Sequence, residues 1–560
     1  MLAVTKKTIN FFSWGRNLVP LEKRNIYVAY GIALVGVTLD NMNSAAIIIL
    51  QQDLEKKFNT NSSVASWVLS SYALTLGSFI MVTGKIADII GPDTVYLVGL
   101  GIIWITSLIC ALLPHSSIIP LIVFRAIQGI GASSLLPSVL SLMANYFTGP
   151  KLKHLQTAIS ALFVALTSIF SIGLILGGVF SLTSLGYRAY FWFTFSLALF
   201  CDISLFFLII PVRKTKAHNS LNIKNFNYIS ASLVVVGVLL IILGLTEGAE
   251  GWRHAKAILP LIVGLFTIVF ALFFDGFYLK RYQEKHSNKE KSSDWRLQID
   301  LLFPPELIKI PNVAIFLICC SLYYAVMLMV MVTAVMFYQD IEHNSSIITA
   351  LKVSPLGFGL AFGAAIYRPW MYEKFKGNKL FVYSGALTLG GLIWFSRIHY
   401  GTSNSFWKYG FISLFMWGYG CNMFFNIYMK IVVDFTPLHL QGVVNGIFQT
   451  VSQVFLSIGN ALVPSIIGDV VVAYSLEEKN HLQSRLKIIL YVAMAFNTLI
   501  LVLCCFVKTV RQVDREAIEK NIDQETIKSS TDEEKGSEQE IGSSSSESSL
   551  SCEKDYCESK

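Results

Sequence analysis

Three ionisable side chains, Asp40, Arg125 and Asp202, sit deep inside long apolar stretches of this chain. Three more, Asp275, Lys352 and Lys430, stand nearer the ends of such stretches. A charge in a low-dielectric segment is costly, so by default it faces a partner or a watery cavity and marks an ion or proton route. A lysine near a helix end reaches the interface along its own methylene stem. Lys352 and Lys430 are therefore read as anchors, and Asp275 as a helix-end residue. Asp40 and Asp202 have no such exit. A carboxylate that alternates between an apolar surround and an arginine partner takes up and releases a proton in turn, which makes Asp40, Arg125 and Asp202 the candidate proton-coupling set. This is ion movement, not bond making. The chain carries no GxxxxGK[ST] phosphate loop, no H-E-x-x-H and no G-x-S-x-G, so nucleotide hydrolysis and membrane hydrolase chemistry have no support. No catalytic residue is assigned and no enzyme is expected. Nine cysteines without a CxxC pair indicate neither a metal site nor a disulfide framework, and no cofactor is expected.

The elements that must carry these residues follow from hydropathy. Of 560 residues 54% are hydrophobic and only 14% charged, with a mean hydropathy of +0.58. Soluble domains carry about 25% charged residues, and about 18 apolar residues in a row suffice to cross a bilayer. The apolar runs read 25–50, 64–86, 94–114, 117–142, 155–180, 189–210, 227–246, 257–279, 312–337, 347–367, 379–397, 405–432, 441–466 and 486–507. The fold class is an all-α polytopic membrane protein with fourteen transmembrane helices, surrounded by lipid. Lys and Arg favour cytoplasmic loops. With the N-terminus inside, inner segments hold 23 of them and outer segments 10, so both termini are expected in the cytoplasm. The segment 508–560 holds 8 Lys/Arg against 14 Asp/Glu and is Ser-rich, the composition of a disordered tail. The basic excess elsewhere is divided among short loops and does not form one face, so nucleic acid is not an expected partner.

Four local patterns add to this. Between spans 2 and 3 stands Gly84-Lys85-Ile86-Ala87-Asp88-Ile89-Ile90-Gly91. Two glycines allow a tight turn, and Asp88 can pair with a basic group or a helix N-terminus in one conformation only. Span 4 reads Arg125-Ala126-Ile127-Gln128-Gly129-Ile130-Gly131-Ala132, an arginine followed by glycines that let a neighbouring helix approach. Span 5 contains Gly173-Leu174-Ile175-Leu176-Gly177-Gly178, followed by Tyr187-Arg188-Ala189-Tyr190-Phe191. Span 1 contains Leu39-Asp40, then Leu50-Gln51-Gln52-Asp53-Leu54, with Trp67 and Tyr72 in span 2.

In this order the four patterns resemble the signatures of the major facilitator superfamily: G-x-L-x-D-x-x-G, R-x-x-Q-G-x-G, the antiporter motif G-P-x-x-G-G, and the L-D opening of the fourteen-span branch. Two departures stand out. Pro92-Asp93 follow the first signature where basic residues are usual, and Leu174 replaces the proline of the third. The chain resembles the fungal fourteen-span drug:proton antiporters, nearest to the yeast aminotriazole-resistance group.

That resemblance implies two six-helix bundles, residues 25–210 and 312–507, rocking about a central cavity. An extra helix pair with its linkers occupies 211–311, flanked by a 1–24 cytoplasmic N-terminus and the 508–560 tail. It implies proton-coupled export of small toxic or surplus solutes by alternating access, with multidrug resistance as the phenotype. Gly84, Asp88, Gly91, Gln128, Gly129, Gly131, Gly173, Gly177 and Gly178 are its motif residues. Aromatics on spans 9–14, Tyr323, Tyr324, Trp417, Tyr419 and Phe424 above all, with Phe337, Tyr338 and Phe425, are expected to line the cavity and hold a flat or cationic solute. The expected partners are a small-molecule substrate and protons, and the expected state a monomer in the plasma membrane. The alternatives are uptake or facilitated diffusion of a small polar or inorganic solute (ammonium- or borate-like), a vacuolar location, and, more remotely, a non-transporting nutrient sensor.

Overall fold

All fourteen apolar runs become helices, because a spanning segment must satisfy its backbone N–H and C=O groups within itself. A computed structural model describes residues 20, 23–60, 62–147, 154–210, 226–248, 254–286, 295–299, 301, 312–375, 378–402, 404–435, 441–467 and 474–507. The first half of the chain contributes α1 (Ile26–Phe58), α2 (Ser62–Ile90), α3 (Pro92–Leu112), the broken pair α4 (Ile119–Ser133) and α5 (Leu135–Tyr146), α6 (Leu155–Ser181) and α7 (Tyr187–Leu208). Then come α8 (Tyr228–Gly248) and α9 (Ala255–Phe273), the latter extended by a π-turn Phe274–Leu279 and Lys280–Lys285. The second half contributes α10 (Val313–Met336) with a π-turn Phe337–Ile341, the broken pair α11 (Ser346–Val353) and α12 (Pro355–Ile366), and α13 (Asn378–Phe395). A π-turn Phe406–Phe411 leads into α14 (Ile412–Phe435), and α15 (Gln441–Ile467) and α16 (Leu476–Cys505) complete it. Among the described residues twelve of these passages are long and apolar enough to cross a membrane, and Lys379–Phe395 is a shorter apolar helix.

Several boundaries differ from expectation, each for a local reason. α1 runs past residue 50 to Phe58, where Asn59 adopts a left-handed φ of 46° and its N–H caps Glu55 O. Lys56 and Lys57 in that last turn complement the negative end of the helix. The expected loop 84–91 is mostly helix. Nothing in 85–90 breaks the α2 ladder, so only Gly91, at φ 122°, turns the chain, and Pro92 opens α3 at its first position. Gly84 is therefore a helix residue facing Pro137. α16 begins ten residues early, at Leu476, because Ser475 and Glu478 form a reciprocal capping box.

The two broken helices carry prolines. Pro137 has no N–H for Ser133 O; Thr83 Oγ1 of α2 donates to that carbonyl instead, at 2.9 Å. Pro355 interrupts the tenth passage at Ser354 in the same way. α6, with Leu174 in place of a proline, is continuous.

Packing joins the halves along two seams. α2 runs beside α15, and α6 beside α11 and α12. α8 touches both α2 and α15, while α9 packs on α8. The extra pair thus covers one seam from the lipid side, and Leu259, Leu265 and Phe266 of α9 are more than half exposed.

Candidate functional site

Arg125 is fully buried within the first six passages. Its Nε donates to Val68 O of α2 at 3.1 Å, and its Nη1 donates to Gln128 Oε1, one turn along α4, at 2.7 Å. Gln128 Nε2 in turn donates to Ser107 Oγ of α3 at 2.7 Å. The guanidinium carbon lies 4.2 Å from the centre of the Tyr72 ring, the geometry of a cation over an aromatic face. On the far side of that ring system the Tyr72 hydroxyl donates to Asp40 Oδ1 at 2.7 Å. One relay therefore runs from Asp40 through Tyr72 and Arg125 to Gln128 and Ser107, across α1, α2, α4 and α3.

Asp40 and Arg125 make no direct ion pair; Tyr72 stands between them. Among the described residues the ion pairs are Lys280–Glu284 and Lys352–Glu342. Arg125 keeps its charge at any accessible pH and spreads it over a carbonyl, an amide and a ring. Its Nη2 has no hydrogen-bond partner. Gly129 makes the stacking possible: a β-carbon there would overlap Tyr72 O and Thr75 Oγ1, so only glycine lets α4 close on α2 and bring Arg125 over Tyr72.

Asp40 also faces a cavity of about 90 Å³ between the halves. α1 lines it with Asp40, Asn41 and Ser44, α2 with Ser70 and Tyr72, and α6 with Phe170. The second half supplies Tyr324, Met327 and Met331 from α10, and Gln453, Ser457 and Asn460 from α15. Asp40 is the one charged group in this lining. Asn460 Nδ2 donates to Ser70 Oγ at 2.8 Å, bridging the two halves at the cavity wall.

The other expected residues lie elsewhere. Asp202 is half-buried between α3 and α7, accepts from Trp104 Nε1 at 2.9 Å, and does not line the cavity. Asp275 is buried at the start of the π-turn after α9 and accepts from Asn227 Nδ2 at 2.7 Å and Ser230 Oγ at 3.1 Å. Lys352 does not reach outward: its Nζ pairs with Glu342 at 2.6 Å. The side chains of Asp88 and Lys430 lie outside the described residues.

Gly131 meets α3 at Ile102, and Gly173 and Gly177 meet α1 at Met42 and Ala46. Gly178 faces the opposite half: a β-carbon there would stand 2.8 Å from Ile347 Cα and 3.1 Å from Ser346 O of α11.

Of the expected cavity aromatics Tyr324 lines the cavity. Tyr323, Phe424 and Trp417 are core residues of the second half, with the Tyr323 and Phe424 rings 4.5 Å apart. Tyr419 packs on Phe362 at 5.8 Å, and Phe425 stacks edge-on to Tyr324 at 5.7 Å. Phe337 and Tyr338 are buried in the π-turn after α10. One residue of helix rotates a side chain by about 100°, enough to turn Tyr323 into the bundle while Tyr324 faces the cavity. Conversely, Gln453, Ser457 and Asn460 escaped the sequence reading although their spacing of four and three residues is a polar helical stripe.

Comparison with known proteins decides the family. The sequence profile of the Major Facilitator Superfamily matches residues 32–460. The chain belongs to this superfamily. It is 26% identical over 406 residues to an uncharacterised MFS-type transporter of Schizosaccharomyces pombe, covering 71% of this chain and 72% of that protein. It is 25% identical over 252 residues to the aminotriazole resistance protein of Saccharomyces cerevisiae, covering 44% of this chain and 45% of that one, under half its length. A low affinity ammonium transporter of the same yeast is 23% identical over 416 residues, 73% of this chain and 74% of its own. Among solved structures, a proton dependent oligopeptide transporter superposes with a TM-score of 0.56 at 13% identity, over 86% of this chain and 100% of that one. The fold is accordingly the major-facilitator fold, and the protein is a multi-pass membrane transporter of small molecules.

Proposed function

We propose that this transporter exports small toxic or surplus solutes in exchange for protons, with Asp40 as the proton carrier and Tyr72 and Arg125 as the pair that senses its charge. One observation carries the reading: Asp40 is the charged group of the cavity between the halves and is tied through Tyr72 to a buried arginine. A charged Asp40 holds the Tyr72 hydroxyl and favours the cation over that ring; a proton on Asp40 weakens both, and the halves are freed to rock about the cavity. The resistance named for the yeast aminotriazole relative supports export as the direction. Both termini are taken as cytoplasmic, the plasma membrane as the location and a monomer as the working unit. No cofactor enters; the proton gradient drives the cycle.

A second reading, uptake or facilitated diffusion of a small polar solute, draws on the cavity volume of about 90 Å³, well under the roughly 300 Å³ at which drug-sized sites begin, and on the ammonium transporter relative. The deciding experiment is a deletion strain and its overexpressing counterpart, screened on a panel of toxins and small amines. Flux is then followed in vesicles with an imposed pH gradient. Export predicts resistance on overexpression and efflux that stops when a protonophore collapses the gradient. Solute entry that runs down its own gradient and persists without a pH gradient would favour the second reading and count against the first.

A further inference from the structure

The halves are also fastened at the end of the bundle where α1 turns into α2, by a carboxylate the cavity does not use. Asp340 lies in the π-turn Phe337–Ile341 that prolongs α10, and it is buried, with 7% of its surface exposed. Gln52 of α1, from the opposite half, donates its Nε2 to Asp340 Oδ1 at 2.8 Å. π-turns interrupt helices at functional positions more often than chance, and this one swings Asp340 toward α1.

The charged and titratable neighbours are informative. Glu55 and the exposed Lys56 stand one turn beyond Gln52 on the same face of α1. Glu55 accepts from Gln51 Nε2 at 3.2 Å, and Glu342 lies two residues after Asp340. Lys352 of α11 is engaged with Glu342 at 2.6 Å, and Glu342 also accepts from Asn344 Nδ2 and Ser405 Oγ at 2.9 and 3.2 Å. From α16, Lys479 donates to the Tyr400 hydroxyl at 3.1 Å, and His343 stacks on Tyr474 beside that helix, ring centres 5.4 Å apart. Asp53 of α1 accepts from Tyr187 N at 3.0 Å. Among the described residues Asp340 therefore makes no ion pair. What meets it across the seam is a neutral amide, with a half-buried carboxylate, Glu55, and an exposed lysine, Lys56, one turn away.

We propose that Asp340 is a second proton-carrying carboxylate of the transport cycle, protonated where α1 and α10 meet and deprotonated when they part. A neutral Asp340 accepts the Gln52 amide and tolerates Glu55. A charged one, buried without a cation beside another carboxylate, opposes the contact. Closure at this end and proton uptake at Asp340 are then one event. The inference rests on the halves moving apart at that end, as the proposed cycle requires, and not on the identity of the solute.

The test needs no substrate. The full chain, with Cys505, Cys552 and Cys557 replaced by serine and Ser457→Cys in the cavity, is reconstituted in vesicles. An impermeant maleimide is added from the side of the α1–α2 turn, that side being fixed by labelling of a separate Thr60→Cys variant. All labelling rates are divided by that of the Thr60→Cys variant at the same pH, which removes the ordinary rise of thiolate with pH. Between about pH 5 and about pH 8 the labelling rate so corrected should rise, by up to about tenfold per pH unit where one proton titrates. Asp340→Asn, which keeps an acceptor for Gln52 without the charge, should label slowly at every pH. Gln52→Ala should label fast at low pH as well. Asp40→Asn should keep the pH dependence, which separates this inference from the role proposed for Asp40. An Asp340→Asn protein whose labelling follows the same pH profile as its parent would overturn the proposal, and so would a Gln52→Ala protein that stays closed at low pH.

Discussion

In the first six passages the buried polar side chains converge. Asp40, Tyr72, Arg125, Gln128 and Ser107 form one relay with a permanent charge at its centre. In the last six the polar groups inside the bundle are smaller neutral clusters: Thr388 Oγ1 donates to Asn497 Oδ1 at 3.0 Å and meets the Tyr323 hydroxyl at 3.3 Å, and Asn426 bonds within its own turn, while the buried carboxylate Asp340 stands at the bundle's end. The ion pair that this half contains, Lys352–Glu342, sits at its far end. Yet both halves line the same cavity. The first brings the carboxylate; the second brings thioether, phenol and amide groups that adapt to different solutes. In the proposed cycle the cavity carboxylate thus comes from the first half and much of the solute lining from the second, while Asp340 adds a carboxylate of the second half at the end of the bundle.

The sharpest way to break this contrast is at Arg125. Arg125→Ala should reduce gradient-driven flux to background in vesicles while the protein reaches its membrane at normal level. Lys should restore little, because a point charge cannot reproduce the planar group over Tyr72. A smaller effect is expected at the helix contacts. Gly129→Ala forces α2 and α4 apart and should cost about 1–3 kcal/mol, seen as a lowered unfolding temperature in detergent. The same substitution at Gly446 of α15, where a β-carbon would come no closer than 3.5 Å to Met81, should leave that temperature unchanged. Smallest are the hydroxyl deletions. Tyr72→Phe keeps the ring under Arg125 but loses the bond to Asp40, worth about 1 kcal/mol or some fivefold in coupled flux. Tyr323→Phe, in the second-half core, should change flux less than about twofold. Equal losses from the two tyrosines would erase the division of labour.

Much of this is legible in the amino-acid sequence. Fourteen helices follow from hydropathy because lipid leaves the backbone no other way to bond. Asp40 and Arg125 stand out because a charge inside an apolar run is too costly to be incidental. Asp202 carries the same signal, but Trp104 meets it away from the cavity, and nothing in the spacing distinguishes the two situations. Uncharged polar residues were harder to see: with Gln453, Ser457 and Asn460 in it, the passage Gly446–Ile467 is still apolar enough to cross a membrane. Asp340 was hidden by a boundary, since the ninth run ends at residue 337 by composition while the helix continues through a π-turn to Ile341. The aromatics failed on rotation, because composition fixes that Tyr323 and Tyr324 lie on α10 but not which of them faces the seam.

The central claim is that Asp40 carries the proton, and Asp40→Asn tests it most directly. The variant is reconstituted, loaded with a solute identified in the resistance screen, and measured twice: for uphill flux under an imposed pH gradient, and for exchange of labelled against unlabelled solute at equal pH. The account predicts that uphill flux disappears while exchange persists, because a permanently neutral side chain allows rocking but moves no proton. Uphill flux at the parental level in Asp40→Asn would contradict it.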